Sequence, residues 1–507
     1  MQKNNRNTVS YIPVNLFNKE VIVLNSFIHL FKTPGGHYLY DVNKNVILGL
    51  SEEEYKILEY RNIDDTSKGT SEFSAQAVES IEHLRDLGFL SEKRPKEMYH
   101  SLNDTILSHL NTKVNMITLQ ITKQCNLRCK YCVYSGNYED RVHSNEKMTL
   151  DTARKGMDFY IEHSKDNENS FLAFYGGEPL LEFELIKNCV EYFEEKAEGK
   201  NILFSLTTNA TLLTEEMVDY FQKHNVHLTI SLDGSSEIHN RNRVYRDDKG
   251  TFEKVMENLQ MIKTKFPDFL SNNIAFNAVL DPQNEFSCVN NFFNDFELVK
   301  ETSVMASEIS DYYRKDTIKA SDNYISETHY EYFKIFLSKL GYLDEKYTSK
   351  LLLNQYNEIQ SRYSLLKMRQ EIPDKIHHGG PCIAGVQRLF IDVDGNFYPC
   401  EKVSEASPHM KIGNLDTGFD INKIRTLLNV GKISENKCIN CWALNFCNLC
   451  AVAADGYNGM STERKISRCG DVIHSVDSLF KDICTLNEFG ANLGQEIYSV
   501  YTAEQKQ

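Results

Sequence analysis

Three cysteines stand in the run Cys125-Asn-Leu-Arg-Cys129-Lys-Tyr-Cys132, at spacings i, i+4 and i+7. Thiolates this close on a short loop can converge on one iron–sulfur cluster. Three ligands leave a 4Fe–4S cluster one open iron, a place for a substrate or cofactor to bind. Zinc is the other reading, but a structural zinc takes four protein ligands, and no fourth Cys or His is close (His143 is the nearest). A second group is larger: eight of the 13 cysteines fall between Cys382 and Cys484. Its pairs Cys438-x-x-Cys441 and Cys447-x-x-Cys450 suit zinc as well as iron–sulfur clusters. A chain of 507 residues buries its cores without disulfide staples, so thiols crowded into one stretch point to metal.

Composition narrows the classes. Lys plus Arg is 56 and Asp plus Glu 71, a net charge of −15, which argues against a nucleic-acid binder. The first 18 residues are polar and broken by Pro13, with no apolar core of a secretory signal. The best apolar run, Val21 to Phe31, is interrupted by Asn25, Ser26 and His29, whereas a membrane span needs about 20 apolar residues. The expectation is a cytoplasmic chain with no membrane and no nucleic-acid partner, where clustered Cys reads as metal binding before disulfide.

These residues need elements to hold them. Residues 1–19 read as a tail and 20–92 as a small α+β module. Phe27–Lys32 and His37–Val42 alternate around a Pro34-Gly35-Gly36 turn, and Val46–Leu50 follows. Ser51 with Glu52–Glu54 opens a helix, and a second helix spans about Ser74–Leu87. Three strands and then helices read as winged-helix-like. Residues 93–112 are a linker. From 113 to 310 strands and helices alternate, with strands at Met116–Ile121, Phe171–Tyr175, Ile202–Thr207, His227–Leu232, Ile274–Leu280 and Ser303–Glu308. Helices such as Thr149–His163 and Thr214–His224 lie between them. This βαβ pattern predicts a parallel sheet forming a partial or full barrel, with its active site at the C-terminal strand ends. Residues 311–376 read as a helical connector, 377–490 as a Cys-rich domain with short strands, and 491–507 as a tail.

The strand ends carry the expected chemistry. Cys125–Cys132 follows the first strand. Gly176-Gly177-Glu178-Pro179 follows the second, where glycines allow a close backbone approach and a carboxylate can take an ammonium group. Thr207-Thr208-Asn209-Ala210 follows the third, and Ser231-Leu232-Asp233-Gly234 the fourth. Arg243 supplies a cation, or is a solvated helix-start arginine.

With CxxxCxxC after a barrel strand, the chain resembles the radical S-adenosylmethionine superfamily. The resemblance implies a partial (β/α)6 radical SAM barrel in an α/β protein. In it Gly176, Gly177 and Glu178 hold the methionine amino group, and Ser231 and Asp233 the ribose. Arg243 meets the carboxylate, Tyr131 and Val279 pack the adenine, and Thr208 and Asn209 line the site. Electrons entering the cluster cleave the cofactor, and a 5′-deoxyadenosyl radical abstracts hydrogen from the substrate. The C-terminal cysteines resemble the SPASM extension with its two auxiliary 4Fe–4S clusters. By position, Cys438, Cys441, Cys447 and Cys469 would hold the outer cluster, and Cys382, Cys400 and Cys450 the inner one. Cys447 and Cys450 are separated by two residues where the family usually has three. Three clusters with one open iron need eleven cysteines, and the motifs supply ten. Either Cys484 is the eleventh or the inner cluster also has an open iron. Cys189 and Cys288 read as packed thiols. Glu401, directly after Cys400, sits where sulfatase-maturing relatives carry a proposed base, or is an exposed carboxylate.

The N-terminal module resembles the leader-recognition domain of ribosomal-peptide modifiers, which takes a precursor as an added strand. Phe27–Gly36 and Tyr398-Pro-Cys400-Glu401 resemble maturases of Cys-rich peptides, which make sactipeptide or ranthipeptide thioethers. The expected partners are a ribosomal precursor peptide with its leader and a flavodoxin- or ferredoxin-type electron donor. The leading reading is a thioether-forming peptide maturase. The alternatives are a formylglycine-generating sulfatase maturase, a carbon–carbon crosslinking enzyme, or a non-catalytic metal-cluster scaffold that binds a peptide.

Overall fold

The structure, a computed structural model, describes residues 25–62, 73–139, 141–380, 382–491, 493 and 498–499. The expected tail 1–19 and most of the tail 491–507 lie outside the described residues. The chain divides into two compact units: Met1–Arg94 with Leu366–Ile372 and Glu496–Gln507, and Pro95–Leu365 with Pro373–Gln495.

In the first unit, β1 (Ile28–Lys32), β2 (His37–Asp41) and β3 (Val46–Leu50) form an antiparallel meander. Then come α1 (Glu52–Asn62) and α2 (Ala75–Asp86). Ser51 and Glu54 close a reciprocal cap on α1: the Ser51 amide donates to the Glu54 carboxylate at 2.6 Å and the Glu54 amide to Ser51 Oγ at 3.2 Å. Ser74 Oγ caps α2. Leu39, Leu48, Ile57, Leu58, Ile81 and Leu84 make the shared core of strands and helices. A two-residue strand, Tyr498–Ser499, lies parallel along the outer edge of β3. Leu366–Ile372 falls inside the expected connector but belongs to this unit. The Arg369 guanidinium donates to the Val42 and Asn43 carbonyls at 2.7 and 2.9 Å.

The second unit starts with β4 (Glu97–Met98) and α3 (Ile106–Thr112). Strands and helices then alternate as β5 (Met116–Thr122), α4 (Leu150–His163), β6 (Asn169–Gly176), α5 (Phe183–Lys196), β7 (Asn201–Thr208) and α6 (Glu215–Lys223). They continue as β8 (Val226–Ser231), α7 (Ser236–Asn242), α8 (Phe252–Lys265), α9 (Pro267–Asn273), β9 (Ile274–Leu280), α10 (Phe286–Asp295) and β10 (Ser303–Glu308). Strands β5 to β10 are parallel neighbours in chain order, the partial barrel read from the βαβ pattern. Local signals explain the helices: Thr149 and Thr214 cap α4 and α6 through their side chains, and Glu215 and Glu216 favour the first turn of α6. Along β9 every second residue is buried, as a strand with one inward face requires.

Two helices follow, α11 (Asp322–Lys339) and α12 (Leu353–Tyr363), then β11 (Lys375–Ile376), which pairs with β4. The Cys-rich region does not build a separate sheet. Its strand β12 (Leu389–Ile391) pairs in parallel with β5, and β13 (Asn396–Tyr398), β14 (Gly413–Asn414) and β15 (Gly418–Phe419) extend the same sheet antiparallel. The chain continues through α13 (Ile421–Leu428), α14 (Glu435–Cys438), α15 (Thr462–Ser467) and α16 (Cys469–Glu488). Among the described residues no helix is long and apolar enough to cross a membrane.

Candidate active site and metal centres

The cysteine loop leaves the end of β5 and is pressed against the turn after β6. A Cβ on Gly176 would lie 2.2 Å from the Thr122 carbonyl oxygen, and one on Gly177 would lie 2.1 Å from that of Gln124. Gly176 also has φ +142, a conformation open to glycine. The close approach lets the Gly177 and Glu178 amides donate to the Thr122 and Gln124 carbonyls at 2.7 and 2.9 Å. Backbone amides face two of the sulfurs: Leu127 N lies 3.4 Å from Cys125 Sγ and Tyr134 N 3.5 Å from Cys132 Sγ. Burial pushes the Cys125 and Cys129 thiols up to about 12 and raises Cys132 as well, and the three thiols act on one another. Such groups become thiolates when a metal replaces the proton. The chemistry of this donor set therefore fits a metal cluster.

The ends of β6 and β7 are latched by Glu178, whose carboxylate is 1% exposed. It accepts from Thr208 Oγ1 at 2.8 Å, the Leu180 amide at 3.0 Å and the Asn209 amide at 2.8 Å. These three donors tie the turn after β6 to the end of β7. Asn209 Nδ2 donates to Asn126 Oδ1 at 2.9 Å, tying the end of β7 to the cysteine loop.

A buried ion pair forms the other wall. Arg243 Nε donates to Asp233 Oδ2 at 3.0 Å, Tyr131 OH donates to the same oxygen at 2.5 Å, and the Val279 amide donates to Asp233 Oδ1 at 3.1 Å. This brings together four of the residues expected at the site. Ser231 closes β8 two residues before Asp233. Arg243 is a buried pair partner and not a solvated arginine. Burial opposes its charge, but Asp233 and Tyr131 outweigh burial and hold the guanidinium more firmly protonated than usual. His239 braces the pair: Asp233 N donates to Nδ1 at 3.4 Å, and Nε2 meets Thr251 Oγ1 at 3.0 Å. Burial, with Arg243 adding, lowers His239 to about 4, so the ring is neutral.

Comparison with known proteins agrees with this geometry. The Radical SAM superfamily model matches residues 119–285. The chain carries a radical SAM domain. Over 301 residues it is 24% identical to the radical SAM cyclopropyl synthase TigE of Paramaledivibacter caminithermalis, covering 55% of this chain and 61% of that protein. Over 156 residues it is 28% identical to the cysteine-type anaerobic sulfatase-maturating enzyme of Clostridium novyi, covering 29% of this chain and 40% of that one. The chain thus spans less than two thirds of these curated relatives. A solved structure, native anSMEcpe with bound AdoMet, shares the fold with a TM-score of 0.55 at 18% identity, covering 73% of this chain and 99% of that one.

The radical SAM domain holds every strand-end residue from Cys125 to Val279. Outside it, the Cys-rich region fits a SPASM domain. Between the two lies a polar cluster that sequence reading missed. Glu405 accepts from Tyr134 OH at 2.6 Å and Gln120 Nε2 at 2.9 Å and pairs with Arg141 Nε at 2.8 Å. Gln120 was the available signal: a lone amide in the apolar run of β5, fully buried. Glu401 is held by Arg388, whose NH1 lies 2.6 and 2.8 Å from the two carboxylate oxygens. At half-buried Tyr175, at the end of β6, desolvation and then the charges of Glu401, Cys132 and Glu405 hold the phenol protonated.

The C-terminal cysteines separate into two groups. Cys438, Cys441, Cys447 and Cys469 line a cavity of about 290 Å3 with His378, Trp442 and Lys465. Burial pushes Cys441 up to about 11, and the other three thiols add to it. In the second group, Cys450 acts on Cys400, which burial lifts to about 11, and Cys382 acts on Cys450. Cys484 is not brought to either group: it is fully buried in α16, and the charge acting on it is Glu488. Cys189 is a packed thiol as expected, but Cys288 is exposed on α10, beside the Glu285 carboxylate at 3.4 Å. It is corrected from packed to surface because α10 turns Phe286, Val289 and Phe293 inward instead.

Proposed function

We propose that this chain is a radical SAM peptide maturase that forms thioether crosslinks in a ribosomal precursor peptide. The observation that carries the reading is that one compact unit holds three thiols at a strand end and four more around a second cavity, with Glu401 next to Cys400 in the chain and held by Arg388. Cys125, Cys129 and Cys132 would hold a 4Fe–4S cluster. Gly176–Glu178, Asp233, Arg243, Tyr131 and Val279 would seat S-adenosylmethionine. With both groups bound, the site would supply the radical chemistry that removes one hydrogen atom from the substrate. Cys438, Cys441, Cys447 and Cys469 would hold the outer auxiliary cluster, and Cys382, Cys400 and Cys450 an inner one with an open iron. Among the described residues no group of three or more His, Cys, Asp or Glu is set to hold a single metal ion.

The protein's own residues do the rest. The buried Asp233–Arg243 pair presents a fixed charge pattern at the strand ends. Glu401, oriented by Arg388, accepts the proton of a substrate thiol. The new carbon–sulfur bond would replace one C–H and one S–H: one hydrogen atom would go to the 5′-deoxyadenosyl group of the cofactor, Glu401 would take the thiol proton, and the one remaining electron would pass to an iron–sulfur centre held by the C-terminal cysteines. The first unit receives the leader. Its sheet accepts strands at the β3 edge, as Tyr498–Ser499 does. A flavodoxin- or ferredoxin-type protein supplies electrons in the cytoplasm.

Reconstituted enzyme incubated anaerobically with its precursor, S-adenosylmethionine and a reductant is expected to form 5′-deoxyadenosine. The peptide should lose two hydrogens per crosslink and protect one thiol from alkylation. Unchanged alkylation with the same mass loss indicates carbon–carbon bond formation, the reading favoured by the likeness to a cyclopropyl synthase. A hydrazide-reactive aldehyde indicates formylglycine, the reading favoured by the likeness to a sulfatase-maturating enzyme. No 5′-deoxyadenosine with substrate present leaves a binding scaffold.

A further inference from the structure

Two polar side chains at the four-cysteine cavity have no place in the reading so far. Lys465 is 1% exposed. Its Nζ donates to Ser434 Oγ at 2.8 Å and lies 3.4 Å from Cys438 Sγ, and Ser434 Oγ is itself 3.2 Å from that sulfur. No carboxylate pairs with Lys465 among the described residues. A buried ammonium with only a hydroxyl and a sulfur as neighbours within hydrogen-bond reach is costly, so the site calls for an anion. His378, also 1% exposed, lines the same cavity, and neither of its ring nitrogens makes a well-formed hydrogen bond. A cluster held by four thiolates is a net anion rich in sulfur acceptors, and it would answer both needs.

The placement follows from local structure. Ser461 caps α15, accepting the Arg464 amide at 3.2 Å. That helix carries Lys465 inward, one turn before the ligand candidate Cys469. His378 comes just after β11 and lines the cavity with these residues. Neither contact involves the strand-end cysteines. The arrangement is specific to one of the proposed metal centres.

We propose that Lys465 and His378 raise the reduction potential of the cluster held by Cys438, Cys441, Cys447 and Cys469. Reduction adds a negative charge to the cluster. A cation beside a ligand sulfur and a donor to the cluster favour that charge, and net charge and hydrogen bonds to sulfur are the levers that set such potentials. The effect is strong where water is excluded. The proposal rests on the reading of this cavity as an iron–sulfur site.

The test uses the full chain with Cys125, Cys129 and Cys132 replaced by Ala, so that only auxiliary centres remain. The paramagnetic signal of the reduced protein that disappears on adding Cys469→Ala is assigned to the cavity and followed through a redox titration. Lys465→Met is expected to disfavour reduction at least tenfold, a downward midpoint shift of about 59 mV for one electron. His378→Phe should shift the midpoint in the same direction, and Lys465→Arg, which keeps the charge, should remain near the parent value. An assigned signal whose midpoint is unchanged in both Lys465→Met and His378→Phe overturns the proposal. If Lys465→Met fails to retain the cluster, His378→Phe decides it alone: a lower midpoint supports the assignment and an unchanged one rejects it. Zinc or no metal in place of iron at the cavity of the parent overturns the cluster reading itself, an outcome that metal analysis separates from an unmoved potential.

Discussion

The two cysteine sites of the second unit are built in opposite ways. Cys125, Cys129 and Cys132 sit on one loop, close in sequence, and their surroundings come from the ends of β6, β7, β8 and β9. The walls there are charged or hydrogen-bonded groups: Asp233, Arg243, Glu178 and Asn209. Cys438, Cys441, Cys447 and Cys469 come from a short helix, two loop positions and the start of α16, spread over some thirty residues, around a cavity whose charged residues include the buried Lys465. Three thiols facing a polar strand end leave room for a ligand to enter. Under the proposed reading, four thiols around a cavity would close off a centre and suit it to carrying electrons. The difference lies in the neighbours more than in the ligands.

The comparison can be broken most sharply by removing one side of it. Replacing Cys125, Cys129 and Cys132 by Ala is expected to abolish 5′-deoxyadenosine formation while leaving roughly two thirds of about 12 irons per chain, read by product chromatography and iron assay. Equal loss of iron from both sites would show that they are not independent. Arg243→Met leaves the Asp233 carboxylate buried without its cation. It should cost about 3–5 kcal/mol of stability, measured by denaturant unfolding of the metal-free protein.

The His239 brace predicts an acid sensitivity specific to the strand-end wall. Its folded value is about 4 against an unfolded value near 6.5. The unfolded chain therefore binds the proton first as pH falls, and stability is lost between about pH 6.5 and 4. The contribution is roughly 3 kcal/mol at full effect, and His239→Asn should flatten that part of the pH profile. The smallest effect is expected at Cys484. Cys484→Ala should leave iron content and the paramagnetic signals unchanged, with a stability cost of about 1 kcal/mol from a small buried void. Loss of iron in this variant would return Cys484 to the ligand set.

Much of this was legible because periodic signals are local. The strand Ile274–Leu280, the helices beginning near Thr149 and Thr214, and the helix opened by Ser51 with Glu52–Glu54 were read from neighbouring residues, and they appear where the spacing puts them. The strand-end positions of Cys125, Gly176, Thr208 and Asp233 followed from the same pattern. The Gln120–Glu405 contact was not legible, since it joins residues 285 positions apart. The exposure of Cys288 was missed because helical periodicity places an inward stripe only after the neighbouring elements are known.

The sequence by itself determined the chemistry available: which thiols cluster, which strands alternate with helices, and which glycines precede a carboxylate. These depend on residue type and short spacing. Tertiary structure decided what those groups face. It joined β12 to β5, so that the Cys-rich region continues the radical SAM sheet. It gave Glu178 two backbone amides and the Thr208 hydroxyl as donors, paired Arg243 with Asp233, and set Lys465 against Cys438. Such contacts join distant parts of the chain, and their energies depend on burial, which no local window of sequence contains.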